Sequence, residues 1–381
     1  MNNYKKLLLE SFKNINYYSK QTYSVNDLLK NKKIILYGAG DGFITFKTFV
    51  LRKYRLKVDA ILDLKFKTGD IYFGIPAFSP LEYKPTQQEK ENAIVIITVG
   101  KKKYHKEILT CLSKLGFKHI IFSTDIYEYH LLCIPKELEK NGIVYYLDNK
   151  KKIISCLDTF SDDLSREIFI RVIQTHLQKK PLTIPSRHKG ERYFPRDINL
   201  NKGYTCFINC GAYNGDTLMR LNTLVGKIDT VVCFEPDPEN FKLLTQYLST
   251  HYKKIANNII VFPCGVFSQE TKMPFMANNK MNSMILEKGK YYIQCVSLDH
   301  TLISFNPTFI SMDVEGMELE ALKGAQILIK KNKPDLAISV YHNPSHIWEI
   351  PIYIKNLNSK YKLYLRNYTS FISETILYAT T

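Results

Sequence analysis

The sequence predicts an α/β chain of two domains, each built on a mostly parallel β-sheet. Short apolar runs alternate along the chain with segments long enough for helices, the pattern of parallel strands joined by crossovers. Glycine-containing turns directly follow two of these runs, after Tyr37 and after Cys210. The last two strand-like runs, Tyr361 to Arg366 and Thr375 to Ala379, are joined by a loop too short for a parallel crossover and must pair antiparallel. The length of 381 residues suits two domains, at roughly 100–200 residues each.

The first domain is expected over residues 1–130. Lys32 to Tyr37 reads as a buried strand, followed by Gly38-Ala39-Gly40-Asp41-Gly42 and a helix from Phe43 to Leu51. Further strands are expected at Val58 to Leu62, ending in Asp63, at Ala93 to Val99, and at His119 to Phe122, with a helix from Tyr104 to Leu115. This is a Rossmann-like pattern. Residues 131–200 read as a helical connector, with one helix from Leu157 to Lys179. The second domain, 201–381, offers strands at Thr205 to Asn209, Thr230 to Phe234, Asn258 to Phe262, Thr308 to Met312 and Asp335 to Tyr341. Helices are expected near Thr217 to Leu224, Pro238 to Leu248, Gly316 to Lys331 and Ile347 to Leu357, before the closing hairpin. A mostly parallel sheet that ends in an antiparallel hairpin is the Class I methyltransferase plan.

Composition narrows the function classes. With 45% hydrophobic and 13% aromatic residues the chain is not disordered. No apolar run approaches the ~20 residues of a membrane span, and the N-terminal stretch lacks a signal-peptide core, so a cytoplasmic location is expected. The net charge of +17 invites a nucleic-acid reading, but its placement tempers it: net +10 in residues 1–150, +5 in 151–205 and +2 in 206–381. A solvated basic surface or an anionic small molecule suits this better than RNA. The eight cysteines show no C-x-x-C pair and several lie in apolar runs, which suits reduced, buried thiols.

Chemistry concentrates at strand ends of the second domain. Gly211 allows a tight turn and close approach of a ligand, and the helix start after it favours a negative group. Glu235, 24 residues after Gly211, ends the next strand, where an acid can bind a ribose diol. This pair alone fits NAD as well as S-adenosylmethionine, though the turn is not G-x-G-x-x-G. Asp313 and Glu315 follow a central strand beside the ligand crevice of open α/β sheets; they could cap the next helix, hold a hydroxyl, or bind Mg²⁺. His342 ends the neighbouring strand and, at a near-neutral pKa, would serve as a general base. In the first domain, Gly38, Gly40, Gly42 and Asp63 form a weaker fingerprint for NAD or a nucleotide-sugar, with a scaffold role as the alternative.

The ordered set INCGAYNGDT (Ile208 to Thr217), FEPDPENF (Phe234 to Phe241), Ser297-Leu298-Asp299, SMDVEGMELEALKGA (Ser311 to Ala325), AISVYHNPSHIWEIP (Ala337 to Pro351) and the closing LYLRNY…ETILYA resembles the FkbM-type family of S-adenosylmethionine-dependent methyltransferases. The resemblance implies cofactor contacts at Asn209, Gly211, Ala212, Gly215, Asp216, Thr217, Glu235, Pro236, Gly265, Val266, Ser283 and Asp313. It implies that Asp313, Glu315 and His342 face the acceptor; read from the residues, His342 is the candidate catalytic base, with Asp313 orienting it or the acceptor. Asn209 and Asn367 stand where the family commonly has Asp and His. The N-terminal unit resembles nucleotide-binding-like modules of sugar-modifying enzymes, so the expected activity is O-methylation of a glycan or nucleotide-linked sugar, with a homo-oligomer compatible. RNA methylation through the basic N-terminal half and an inactive nucleotide-binding scaffold are the rivals.

Overall fold

The computed structural model describes residues 2–14, 29, 31–123, 126, 143–178, 182–276, 284–285, 291–369 and 372–381. The chain packs as two compact units. One comprises Lys13–Leu132 and Thr175–Pro181; the other comprises Met1–Phe12, Cys133–Gln174 and Leu182–Thr381.

In the first unit, β1 (Ile34–Tyr37), β2 (Ala60–Leu62), β3 (Asp70–Tyr72), β4 (Ile75–Phe78), β5 (Ile94–Ile97) and β6 (His119–Phe122) form one sheet in the order β3-β4-β2-β1-β5-β6. All neighbours are parallel except the β3–β4 hairpin, which the apolar pattern does not announce. Ile34 and Leu36 of β1 pack with Phe43 and Phe46 on one face, and Ile35 packs with Ile108 and Leu112 on the other. Burial on both faces is why the run reads as continuously apolar. β2 starts later than expected because the Asp59 carboxylate, instead of a backbone carbonyl, takes the Ile34 N–H at 2.9 Å.

The second unit contains β7 (Cys206–Cys210), β8 (Ile228–Phe234), β9 (Ala256–Phe262), β10 (Gly265–Val266), β11 (Thr271–Met276), β12 (Met284–Ile285), β13 (Tyr291–Val296), β14 (Phe309–Met312), β15 (Asp335–Ser339), β16 (Lys362–Asn367) and β17 (Thr375–Thr380). Seven of them form a sheet ordered β16-β17-β15-β14-β7-β8-β9. β7 pairs parallel with β8 on one side and β14 on the other, so the strand order reverses there, the place where such sheets bind ligands. β17 is antiparallel to β16, as the short final loop required, and also pairs antiparallel with β15. A second sheet, β10-β13-β11-β12, was not expected, because polar residues such as Lys272 and Gln294 interrupt its strands.

The expected helix between 157 and 179 is present as Asp163–Gln178. The stretch before it does more than connect, since it closes the exposed edge of β16. Ser161 N–H donates to Leu363 O at 2.8 Å, and the Ser165 hydroxyl accepts from Leu365 N–H at 2.8 Å. Arg366, 2% exposed, is held there by Asp162 and Asp197. An edge covered in this way cannot recruit a foreign strand. No helix among the described residues is long and apolar enough to cross a membrane.

Candidate active site

The turn after β7 is shaped by its neighbour. Gly211 has φ +83°, and a Cβ there would lie 2.0 Å from the Asp313 backbone oxygen. Only glycine lets the ends of β7 and β14 come this close. Gly211 and Ala212 N–H both donate to Phe234 O. Gly215, φ +90°, precedes the helix Asp216–Leu224, whose Thr217 is buried and whose Asp216 pairs with Arg220 at 3.1 Å and Arg192 at 3.5 Å.

Glu235 is 5% exposed at the end of β8. Its two carboxylate oxygens accept from Tyr213 N–H at 2.7 Å and Asp237 N–H at 2.9 Å, so it fixes the Gly211 turn from the next strand. Burial pushes its pKa up to about 7, against the pull of those two N–H groups. Pro236 leads from it toward Gly265, the two lying about van der Waals contact apart for an added Cβ (4.0 Å), and Val266 is buried beside Gly265. Ser283 lies outside the described residues.

Asn209 is buried on β7 and accepts from the Ser311 hydroxyl at 2.9 Å, while its Nδ2 has no hydrogen-bond partner. Asn214 Oδ1 is likewise buried and unpartnered. Leftover donors and acceptors around a glycine turn, with an acid at the next strand end, fit a ligand carrying charged and hydroxyl groups, as S-adenosylmethionine does. Asn367 is fully buried and shapes the hairpin turn through Thr375 Oγ1, Ser373 O and Thr369 N–H.

Across the crevice His342 sits among three acids. Its Nδ1 is 2.7 Å from Glu318 Oε1, and its Nε2 is 3.4 Å from Asp313 Oδ1 and 3.6 Å from Glu315 Oε2. Burial alone would lower its pKa, but Glu318 first, then Asp313 and Glu315, outweigh that and raise it to about 10. The expectation of a near-neutral His342 acting as base is therefore corrected: three carboxylates stabilise the imidazolium. Burial pushes Glu315 up to about 7, helped by Asp313 and Glu318 and opposed by His342.

Glu318, wholly buried, carried no expected role. Its Oε1 also accepts from Val314 N–H (3.1 Å) and Gly316 N–H (3.2 Å), and its Oε2 lies 3.1 Å from His346 Nδ1. Burial would raise its pKa, yet His342 and His346 hold it well below the ordinary carboxylate range. Asp313, Glu318 and His342 bring one ligand atom each within 4.8 Å of the others; Glu318 Oε1 is engaged by two backbone N–H groups and His342, and Oε2 faces His346.

In the first unit, Asp63 does lie beside the turn after β1. Its oxygens accept from Ala39 N–H at 2.8 Å and Lys65 N–H at 3.1 Å. Gly38 and Gly42 are needed because an added Cβ would meet Thr98, at 2.9 Å from its hydroxyl and 1.8 Å from its carbonyl oxygen respectively; Gly40 has nothing within 4 Å.

Residues 209–371 match the methyltransferase FkbM domain. The whole chain is similar to a crystal structure of methyltransferase FkbM from Methylobacillus flagellatus KT, at 20% identity, covering 98% of this chain and 99% of that one with a TM-score of 0.74. Shorter likenesses reach an rRNA methylase from Streptococcus thermophilus (14% identity, 46% of this chain and 85% of that one, TM-score 0.31) and the fibrillarin of Aeropyrum pernix crystallised with S-adenosyl-L-methionine (11%, 48% and 70%, TM-score 0.30), both too partial to argue from. No curated protein matches the sequence. Fold and domain together define an S-adenosylmethionine-dependent methyltransferase. Its methyltransferase domain, residues 209–371, is of the FkbM type.

Proposed function

We propose that the enzyme methylates a hydroxyl group of a sugar, in a glycan or linked to a nucleotide. The observation that carries this reading is the His342 imidazolium fixed among Glu318, Asp313 and Glu315 at the strand-order reversal. Carboxylates accept hydrogen bonds from hydroxyls, so a rim of this kind suits a polyhydroxylated acceptor. The bound cofactor supplies an electrophilic methyl group. An alcohol has a pKa of roughly 16, so its proton must leave as the new C–O bond forms. Asp313 Oδ1 is ion-paired with His342 Nε2 at 3.4 Å but makes no hydrogen bond, so it has the capacity to accept one from the acceptor hydroxyl. Glu315, with a pKa raised to about 7, is suited to take the proton near neutrality. His342 remains protonated and keeps the two acids in place. Most of the rate enhancement then comes from holding two reactants in line.

The test is S-adenosylhomocysteine release with a panel of nucleotide-sugars and free glycans, set beside catechols and an RNA oligonucleotide. Methylation confined to the sugar compounds, with activity rising through about pH 7 and lost in Glu315→Gln, is expected. Turnover of catechols or RNA alone would overturn the acceptor class.

A further inference from the structure

Tyr193 lies ahead of the matched domain, in the irregular segment before β7, yet its hydroxyl donates to Asp313 Oδ2 at 2.6 Å. It is 2% exposed and adopts φ +69°, a left-handed conformation that strains a bulky residue. Three contacts hold it there. Its N–H donates to Tyr378 Oη at 3.0 Å, its carbonyl accepts from Tyr204 Oη at 3.3 Å, and the Arg192 guanidinium lies 5.0 Å from its ring centre. Tyr378 is itself hydrogen-bonded to Tyr368, Oη to Oη at 2.7 Å. Arg192 in turn is ion-paired with Glu374 of the closing hairpin turn and with Asp216 at the start of the helix after the Gly211 turn. A strained residue braced on every side and aimed at one carboxylate oxygen is what accurate placement of that carboxylate requires.

We propose that Tyr193 is a positioning residue for methyl transfer: it holds Asp313 Oδ2, so that Oδ1 stays turned toward His342 and the acceptor. This rests on the role given above to Asp313. The segment carrying Arg192 and Tyr193 is then part of the active site, although it stands outside residues 209–371.

Tyr193→Phe in the full chain removes the hydroxyl and keeps the ring. With the sugar acceptors above, kcat should fall about 10- to 100-fold, while S-adenosylhomocysteine binds within about two-fold of the original affinity. In an Asp313→Asn background the same change should cost less than about two-fold, because the group it positions is already altered. An unchanged kcat, an equal loss in both backgrounds, or a matching loss of S-adenosylhomocysteine affinity would overturn the proposal. An arm free of acceptor separates this from the substrate reading: a slowly exchanging hydroxyl proton resonance of the wild-type protein, absent in Tyr193→Phe and moved in Asp313→Asn. Failure to find it overturns the proposal whatever the acceptor is. Finding it while no sugar is methylated, with kcat falling for whichever acceptor does turn over, sustains Tyr193 and removes only the sugar.

Discussion

The turns after β1 and after β7 are built alike, and they differ in the side chains that stand beside them. In each, a strand runs into glycines, and an acid from the next strand accepts a backbone N–H of the turn: Asp63 from Ala39 at 2.8 Å, Glu235 from Tyr213 at 2.7 Å. In each, a glycine is enforced by the backbone of the strand on the other side, Gly42 by Thr98 and Gly211 by Asp313. The residues beyond that neighbouring strand differ between the two units. After β5 comes Thr98, whose hydroxyl is satisfied by the carbonyls of Tyr37 and Gly38. After β14 comes Asp313, with Glu315 and Glu318 behind it and His342 against all three. The turn of the first unit is closed on itself, with Lys65 and Tyr72 both donating to Ala39 O. The turn of the second leaves Asn209 Nδ2 and Asn214 Oδ1 buried and unpaired. Glycines and an acid make the turn in both units; the charged cluster beside the second comes from the strand next to it.

Breaking the charged cluster should have the largest effect. Glu318→Ala strands His342 and His346 and frees two N–H groups of the loop, so stability should drop by about 3–5 kcal/mol in chemical denaturation, with turnover lost. The loop after β5 contains no such cluster, and Thr98→Val should cost far less.

A smaller effect is set by pH. The pKa of His342 is raised from 6.5 to about 10, so its contribution to stability is complete below about pH 6.5 and disappears as pH rises through about 10. That of Glu318, whose pKa is lowered, is present above its ordinary 4.5 and fades as pH falls. The difference in melting temperature between the wild type and His342→Ala should therefore be large near pH 6 and shrink toward pH 10. A difference that grows with pH would contradict an imidazolium at this position.

Much of this was legible in the sequence, for identifiable reasons. The Gly211 turn, Glu235, Asp313 and His342 all follow apolar strands directly, and strand ends gather at one rim of a parallel sheet. The final hairpin followed from loop length alone. Glu318 stood in the quoted motif but gave no signal, because its role depends on two histidines 24 and 28 residues later folding over it. A third acid three residues after Glu315 was the available hint. Arg192, Tyr193 and Glu374 come from irregular segments without periodicity, and meet only when the hairpin closes. The near-neutral pKa expected of His342 failed because burial among three acids is not visible from a strand-end position.

That the two similar turns differ in function is tested most directly by calorimetric titration with S-adenosylhomocysteine, for the wild type, Glu235→Ala and Asp63→Ala. The expected result is one site per chain, with affinity weakened at least about 10-fold by Glu235→Ala and unchanged by Asp63→Ala. Binding lost in Asp63→Ala but kept in Glu235→Ala, or no binding by the wild type, would contradict it.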